Sequence, residues 1–130
     1  MKTKKIALIG VSHDAESYGF KMFHDLLKAG YHVYAVNPKG GEILGHRIYH
    51  NMEDIPRDIT IDLVITVVPP KVTEKLVDAC IAWGIGEIWM QPGSESEIAI
   101  EEADENGVKV IHNECFMVHE GLWKTPMQVQ

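Results

Sequence analysis

Four short stretches of this chain carry residue types that could hold an anion or a flat apolar group. The first is Gly10-Val11-Ser12-His13-Asp14-Ala15, directly after the apolar run Ile6-Ala7-Leu8-Ile9. A glycine closing a buried strand permits a tight turn. The backbone N–H groups beyond it, with the positive end of the next helix, then face any negative group placed before them. Ser12 keeps the turn narrow and adds a hydroxyl donor, and Ala15 is small enough for a helix to pack closely. Against the dinucleotide fingerprint G-x-G-x-x-G, Ser12 replaces the second glycine and Ala15 the third. The second stretch is Asn37-Pro38-Lys39. A nicotinamide dinucleotide site wants an acid here, about 20 residues past the glycine turn, to accept from ribose hydroxyls. An asparagine, a proline and a lysine stand there instead, and the lysine suits a phosphate. Val68-Pro69-Pro70 and Met90-Gln91-Pro92 are the third and fourth stretches, each closing a strand-like run.

Residues with catalytic potential do not assemble into a recognisable set. His112, Cys115 and His119 have the three- and four-residue separations of metal ligands, yet no fourth ligand accompanies them. Cys115 and His119 would be helical neighbours, but no third member or oxyanion donor completes a nucleophilic pair. Asp14 and Glu16 read as solvated or helix-capping carboxylates. Trp83, Trp89 and Trp123 read as packing residues. The pattern therefore points to binding without catalysis.

The elements that must position these stretches follow from periodicity. Ile6–Ile9 reads as a strand buried on both faces. Tyr18, Met22, Phe23, Leu26 and Leu27 recur at helical spacing up to Gly30. His32–Val36 is a second strand, Arg47-Ile48-Tyr49 a short third, and Asn51 to Pro56 one helical turn closed by proline. Ile61–Val68 is the most strand-like run, central and parallel by its near-continuous apolarity. Pro69-Pro70 opens a helix whose buried stripe is Val72, Leu76, Val77, Cys80 and Ile81, ending at Gly84. Glu87–Met90 is the next strand. Ser94 with Glu97 forms a capping box for a helix to Asn106, stopped by Gly107. Val108–Ile111 is the last strand, Phe116–Leu122 the last helix, and the tail from Trp123 is expected to be loose. This alternation predicts a single-domain α/β fold with a doubly wound, Rossmann-like parallel sheet in the order 3-2-1-4-5-6. Ligands of such sheets bind beyond the carboxyl ends of the strands, where the winding reverses between the first and fourth. All four stretches fall on that edge.

Composition sets the outer limits. The chain has 130 residues, enough for one domain with a core of its own, and its 45% hydrophobic and 24% charged content is that of an ordinary globular protein. A formal charge of −7 excludes a protein that grips nucleic acid through its overall field, so an anionic ligand must be held locally. No apolar run approaches the roughly 20 residues of a membrane span, and the lysine-rich start leads straight into a strand. The expectation is a cytoplasmic protein with no membrane partner, whose two cysteines, Cys80 and Cys115, are reduced thiols.

In order and in register with the strand ends, the motifs Ile9-Gly10-Val11-Ser12-His13-Asp14 with Gly19, Val36-Asn37-Pro38-Lys39, Val67-Val68-Pro69-Pro70 with Val72, Trp89-Met90-Gln91-Pro92-Gly93 and Asn113-Glu114-Cys115 carry a resemblance. Over residues 4 to 122 the chain resembles the stand-alone coenzyme A-binding domain proteins. Their fold is shared with the amino-terminal domain of the succinyl-CoA synthetase alpha subunit and of ADP-forming acyl-CoA synthetases. The resemblance implies binding of coenzyme A or a short acyl-CoA. On it, Ser12, His13, Asp14 and Ala15 are placed at the pyrophosphate, Lys39 on a phosphate, Val68, Pro69 and Pro70 along the adenosine, and Met90, Gln91 and Pro92 toward the pantetheine, with Gly10, Val11, Asn37 and Pro38 as further coenzyme-binding residues. The histidine that becomes phosphorylated in those synthetases lies on a later domain, and none of the seven histidines here maps onto it. The implied partners are therefore the coenzyme and a separately encoded ligase subunit; by patterning alone, the apolar residues Phe116, Met117, Val118, Leu122 and Trp123 offer a surface for pairing with a second copy of the chain. The alternative is an NAD(P)- or other nucleotide-binding domain, either an oxidoreductase fragment or a redox regulator.

Overall fold

In the computed structural model, which describes residues 2–126, strand and helix alternate as expected. The order is β1 (Lys5–Ile9), α1 (Tyr18–Lys28), β2 (His32–Val36), β3 (Glu42–Ile43), β4 (His46–Arg47), a 3₁₀ turn (Met52–Asp54), β5 (Leu63–Thr66), α2 (Pro70–Trp83), β6 (Glu87–Met90), α3 (Glu97–Glu105), β7 (Lys109–Ile111) and α4 (Phe116–His119). Five strands form one parallel sheet in the order β2-β1-β5-β6-β7. The expected third strand is reduced. Residues 46–47 turn back on 42–43 as a small antiparallel hairpin, leaving only Tyr49 to bridge Val36 of β2. With Tyr49 counted as that third strand, the winding is the predicted 3-2-1-4-5-6, reversing between β1 and β5.

Side-chain alternation along β1 divides the core between two helical layers. Ile6 and Leu8 pack with Met22, Phe23 and Leu26 of α1 and with Phe116 of α4. Ala7 and Ile9 pack on the opposite face with Val77 and Cys80 of α2 and Ala99 and Ala103 of α3. Each large side chain so buried stabilises the fold by about 1.5–3 kcal/mol. Gly30, Gly84 and Gly107 all adopt positive φ after their helices, where a left-handed residue turns the chain toward the next strand. Both free cysteines are buried. Among the described residues, no helix is long and apolar enough to cross a membrane.

Four sequence expectations are corrected. The helix cap is Ser96, not Ser94, because the Ser94 hydroxyl is fully buried and donates to the carbonyls of Gln91 (2.7 Å) and Thr66 (3.0 Å). Ser96 Oγ instead accepts from the Ala99 N–H at 3.2 Å. The apolar run proposed as a pairing surface belongs largely to the core. Phe116 and Met117 are fully buried, and Val118, Leu122 and Trp123 pack against the same cluster. α4 stops at His119, three residues short, where Gly121 takes positive φ and the Leu122 N–H turns back to the Met117 carbonyl. Trp123 is tied down as well, since its indole N–H donates to Asp25 Oδ2 at 2.6 Å. Residues 127–130 of the expected loose tail lie outside the described residues.

Candidate functional site

The loop after β1 is built around two glycines. Gly10 has φ of +111°, and a Cβ there would collide with the Val67 carbonyl of the neighbouring strand end. Gly19, in the first turn of α1, lies so close to the Gly10 carbonyl that a Cβ would collide with it. The close helix-to-strand packing expected of Ala15 is thus done by Gly19. Ala15 stands in an exposed loop, because α1 starts only at Tyr18, capped by Ser17, whose Oγ accepts from the Phe20 N–H. Inside the loop, Ser12 Oγ accepts from the Asp14 N–H (3.0 Å) and Asp14 Oδ1 from the Glu16 N–H (2.9 Å). Asp14 is thereby a local turn former. Among the described residues, the N–H groups of Ser12, His13 and Ala15 meet no protein acceptor.

The loop after β2 is stitched to it. Asn37 Nδ2 donates to the Val11 carbonyl (2.6 Å), while Asn37 Oδ1 accepts from the Lys39 N–H (2.8 Å). Where a ribose-reading acid would stand, the asparagine amide uses one end to join the two loops and the other to shape its own. His13 Nε2 lies 2.7 Å from the Gly40 carbonyl. A carbonyl only accepts, so that ring nitrogen carries the proton. The His50 ring covers Gly40 so closely that a Cβ there would fall 2.5 Å from Nε2. Lys39 itself is exposed, next in the chain to Pro38.

Between these loops and α2 lies a cleft of about 530 Å³ at the point where the sheet reverses its winding. Of the predicted residues, Gly10, Pro38, Val68 and Pro69 line it, together with Ile9 and Val36. Val72, which the sequence places with the Val67–Pro70 motif, also lines it; its other walls were not foreseen: His50, Asn51, Met52 and Glu53 from the turn after Tyr49, and Lys75, Leu76 and Ala79 from α2. The first group was findable, since any segment following a parallel strand of this sheet emerges at the same edge. Leu76 belongs to the apolar stripe read as core, and periodicity does not separate a stripe facing a sheet from one facing a cleft.

Other predicted residues lie elsewhere. Pro70 is exposed as the first residue of α2. Met90 and Gln91 are fully buried instead of facing a ligand, and only Pro92 remains partly open. Gln91 braces three elements. Its Nε2 donates to the Tyr18 hydroxyl (2.5 Å) and to Cys115 Sγ (3.4 Å), and its Oε1 accepts from the Phe116 N–H (2.7 Å). Burial, reinforced by the neighbouring Cys115 thiol, holds the Tyr18 hydroxyl protonated far above its ordinary range. The His112, Cys115 and His119 spacing is likewise dispersed. Cys115 is buried against Tyr18, while His119 Nδ1 pairs with Glu114 Oε1 at 2.9 Å.

Fold and cleft together define a Rossmann-like α/β domain with an open cleft where its sheet reverses. The family of CoA binding domains matches residues 4–120, and the chain belongs to that family. It is 33% identical over 122 residues to ADP-forming acetate–CoA ligase I of Archaeoglobus fulgidus, covering 86% of this chain and 18% of that protein. It is 31% identical over 121 residues to the alpha subunit of ADP-forming acetate–CoA ligase II of Pyrococcus furiosus, covering 85% and 26%. The chain thus spans about a quarter or less of these relatives. Among solved structures, a hypothetical protein from Pyrococcus horikoshii superimposes with a TM-score of 0.84 at 39% identity, over 92% of this chain and 83% of that one. The dinucleotide-forming acetyl-coenzyme A synthetase 1 of Ca. Korarchaeum cryptofilum, solved with phosphate and ADP, superimposes with a TM-score of 0.72 at 25% identity, over 84% of this chain and 25% of that one.

Proposed function

We propose that this protein binds coenzyme A or a short acyl-CoA without transforming it. The observation that carries the reading is the apolar cleft at the reversal of the sheet, floored by Gly10 and walled by Val68, Pro69 and Pro38, beside a loop with unpartnered amides. A cleft of this size accepts an adenosine, and Pro69 and Val68 offer flat apolar contact to its base. The amides of Ser12, His13 and Ala15 suit the pyrophosphate, with the exposed Lys39 for a further phosphate. Asn37 takes the place of the acid that would accept from both hydroxyls of a ribose diol, and its amide is already engaged by the Val11 carbonyl and the Lys39 N–H, which disfavours NAD.

Calorimetric titration with coenzyme A, dephospho-coenzyme A, NAD and NADP tests the reading. Coenzyme A is expected to bind tightest, to weaken about tenfold on Lys39→Ala through loss of one charged phosphate contact, and to lose binding on Ser12→Asp. Binding of NAD or NADP in place of coenzyme A would sink it. A second reading is favoured by the similarity to ligase alpha subunits: the domain holds the coenzyme for a separately encoded ligase chain. Purification from the native source with an ADP-dependent acyl-CoA-forming activity attached would support that role.

A further inference from the structure

The phosphate loop has a cavity on each side. Gly10 lines the cleft described above, and Ala15, five residues on, lines a second cleft of about 530 Å³ between α1 and the segment after α4. This second cleft has aromatic walls, Phe20 and Trp123, and a polar rim that includes Lys21, His24 and Lys124. We propose that it receives the acyl end of a coenzyme A thioester and favours a ring-bearing acyl group lying on the Trp123 indole. The inference rests on the coenzyme A reading given above.

Three observations converge on it. First, the indole is fixed before any ligand arrives. Its N–H donates to Asp25 Oδ2 (2.6 Å), the Asp25 carboxylate is engaged on its other oxygen by His24 Nδ1 (2.8 Å), and the ring meets Tyr18 edge-on at 5.7 Å between centroids. An aromatic wall held at two points, one of them itself braced, loses little freedom when a second ring stacks on it. Second, the position is right for a two-ended ligand. Five residues of backbone separate Gly10 from Ala15, at most about 18 Å, a distance an extended pantetheine arm can cover from phosphates lying on the loop. Third, the expected pantetheine contacts at Met90 and Gln91 are sealed in the core, while the Ala15 side of the loop is open. The Lys21 ammonium on the rim suits the arm's amide carbonyls, since among the described residues its one ion pair is with the exposed Glu16 at 3.8 Å.

The test compares coenzyme A, acetyl-CoA, benzoyl-CoA and free benzoate by calorimetry on the whole chain, with Trp123 fluorescence followed in parallel. Benzoyl-CoA is expected to bind about tenfold more tightly than coenzyme A, the gain of one good aromatic contact, and to quench the indole. Trp123→Ala and Phe20→Ala, checked for folding by circular dichroism, should each erase that preference while leaving coenzyme A affinity within about twofold. Equal affinity of the wild type for coenzyme A and benzoyl-CoA overturns the inference and leaves the parent reading intact. So does a preference that survives in both variants, or benzoate binding as tightly as its thioester. Failure of coenzyme A and every thioester to bind removes the parent reading and this one with it.

Discussion

Asn37 shows how one side chain can carry both architecture and specificity. Its amide donates to the loop after β1 and accepts within the loop after β2, so the two loops on one side of the main cleft are joined through a single residue. Asn37→Asp keeps the shape but turns the donor into a second acceptor facing the Val11 carbonyl. The expected loss is about 1–3 kcal/mol of stability, read as a shifted urea midpoint, with weaker coenzyme A binding and no gain of NAD affinity. Gly10 makes a second demand. Any Cβ there meets the Val67 carbonyl at a φ closed to L side chains, so Gly10→Ala should cost more than about 2 kcal/mol and abolish binding in the calorimeter. Glycine and proline at strand ends have few alternative uses, and Gly10, Pro38, Val68 and Pro69 were therefore readable as cleft residues from sequence. The burial of Gln91 was not. A strand pattern locates the edge of a sheet, but whether the last side chain turns outward or inward depends on what waits inside. Here that is Tyr18, Cys115 and the Phe116 amide, from elements distant in sequence.

Single elements reveal the limit of local rules. Ser94-x-x-Glu97 satisfies the capping box, and on local grounds it is a better cap than Ser96, three residues before an alanine. Tertiary structure reassigns both serines, since the β5 carbonyl of Thr66 claims the Ser94 hydroxyl and closes the Gln91–Ser94 turn. The two are then separable by mutation. Ser96→Ala should lower stability by about 1 kcal/mol, the usual value of a lost helix cap, and leave ligand binding alone. Ser94→Ala should be the more damaging, by about 1–3 kcal/mol, because it strands buried acceptors. Equal effects in thermal unfolding would show that Ser94 caps after all. The third strand was legible in place but not in extent. The hairpin of 42–43 with 46–47 uses backbone that would otherwise have lain along β2, and only Tyr49 reaches it. The expected pairing surface failed for a related reason: an apolar run following the last strand reads the same whether it faces solvent or closes the open side of α1.

For the whole molecule, burial leaves a pH signature. Cys80 is enclosed between α2 and the sheet, and burial pushes its thiol from 9.0 up to about 12. In the unfolded chain the same thiol ionises near its ordinary value, so between about pH 9 and 12 the unfolded state binds fewer protons than the folded one. Stability must then fall as pH rises, by up to about 1.4 kcal/mol per unit from this group, and the thiol contributes no slope below that window. Cys80→Ala should start less stable at neutral pH but lose less between pH 9 and 12, measured by urea unfolding across the range. An identical alkaline slope in the variant would exclude Cys80 as its source.

The strand order has one more implication. β1 and β5 stand side by side at the reversal of the sheet, yet 53 residues of chain lie between Ile9 and Leu63. Eight of the residues lining the main cleft, Ile9 to Glu53, thus precede β5 and six, Val68 to Ala79, follow it, with nothing local to join the two groups. A molecule lodged there acts as a rivet between the two halves. Neither fragment alone should bind it, and a mixture of them should reassemble more readily in its presence. Occupancy would also register far from the site as slower amide exchange in both halves at once, with about 2.7 kcal/mol of added stability at a hundredfold excess over Kd.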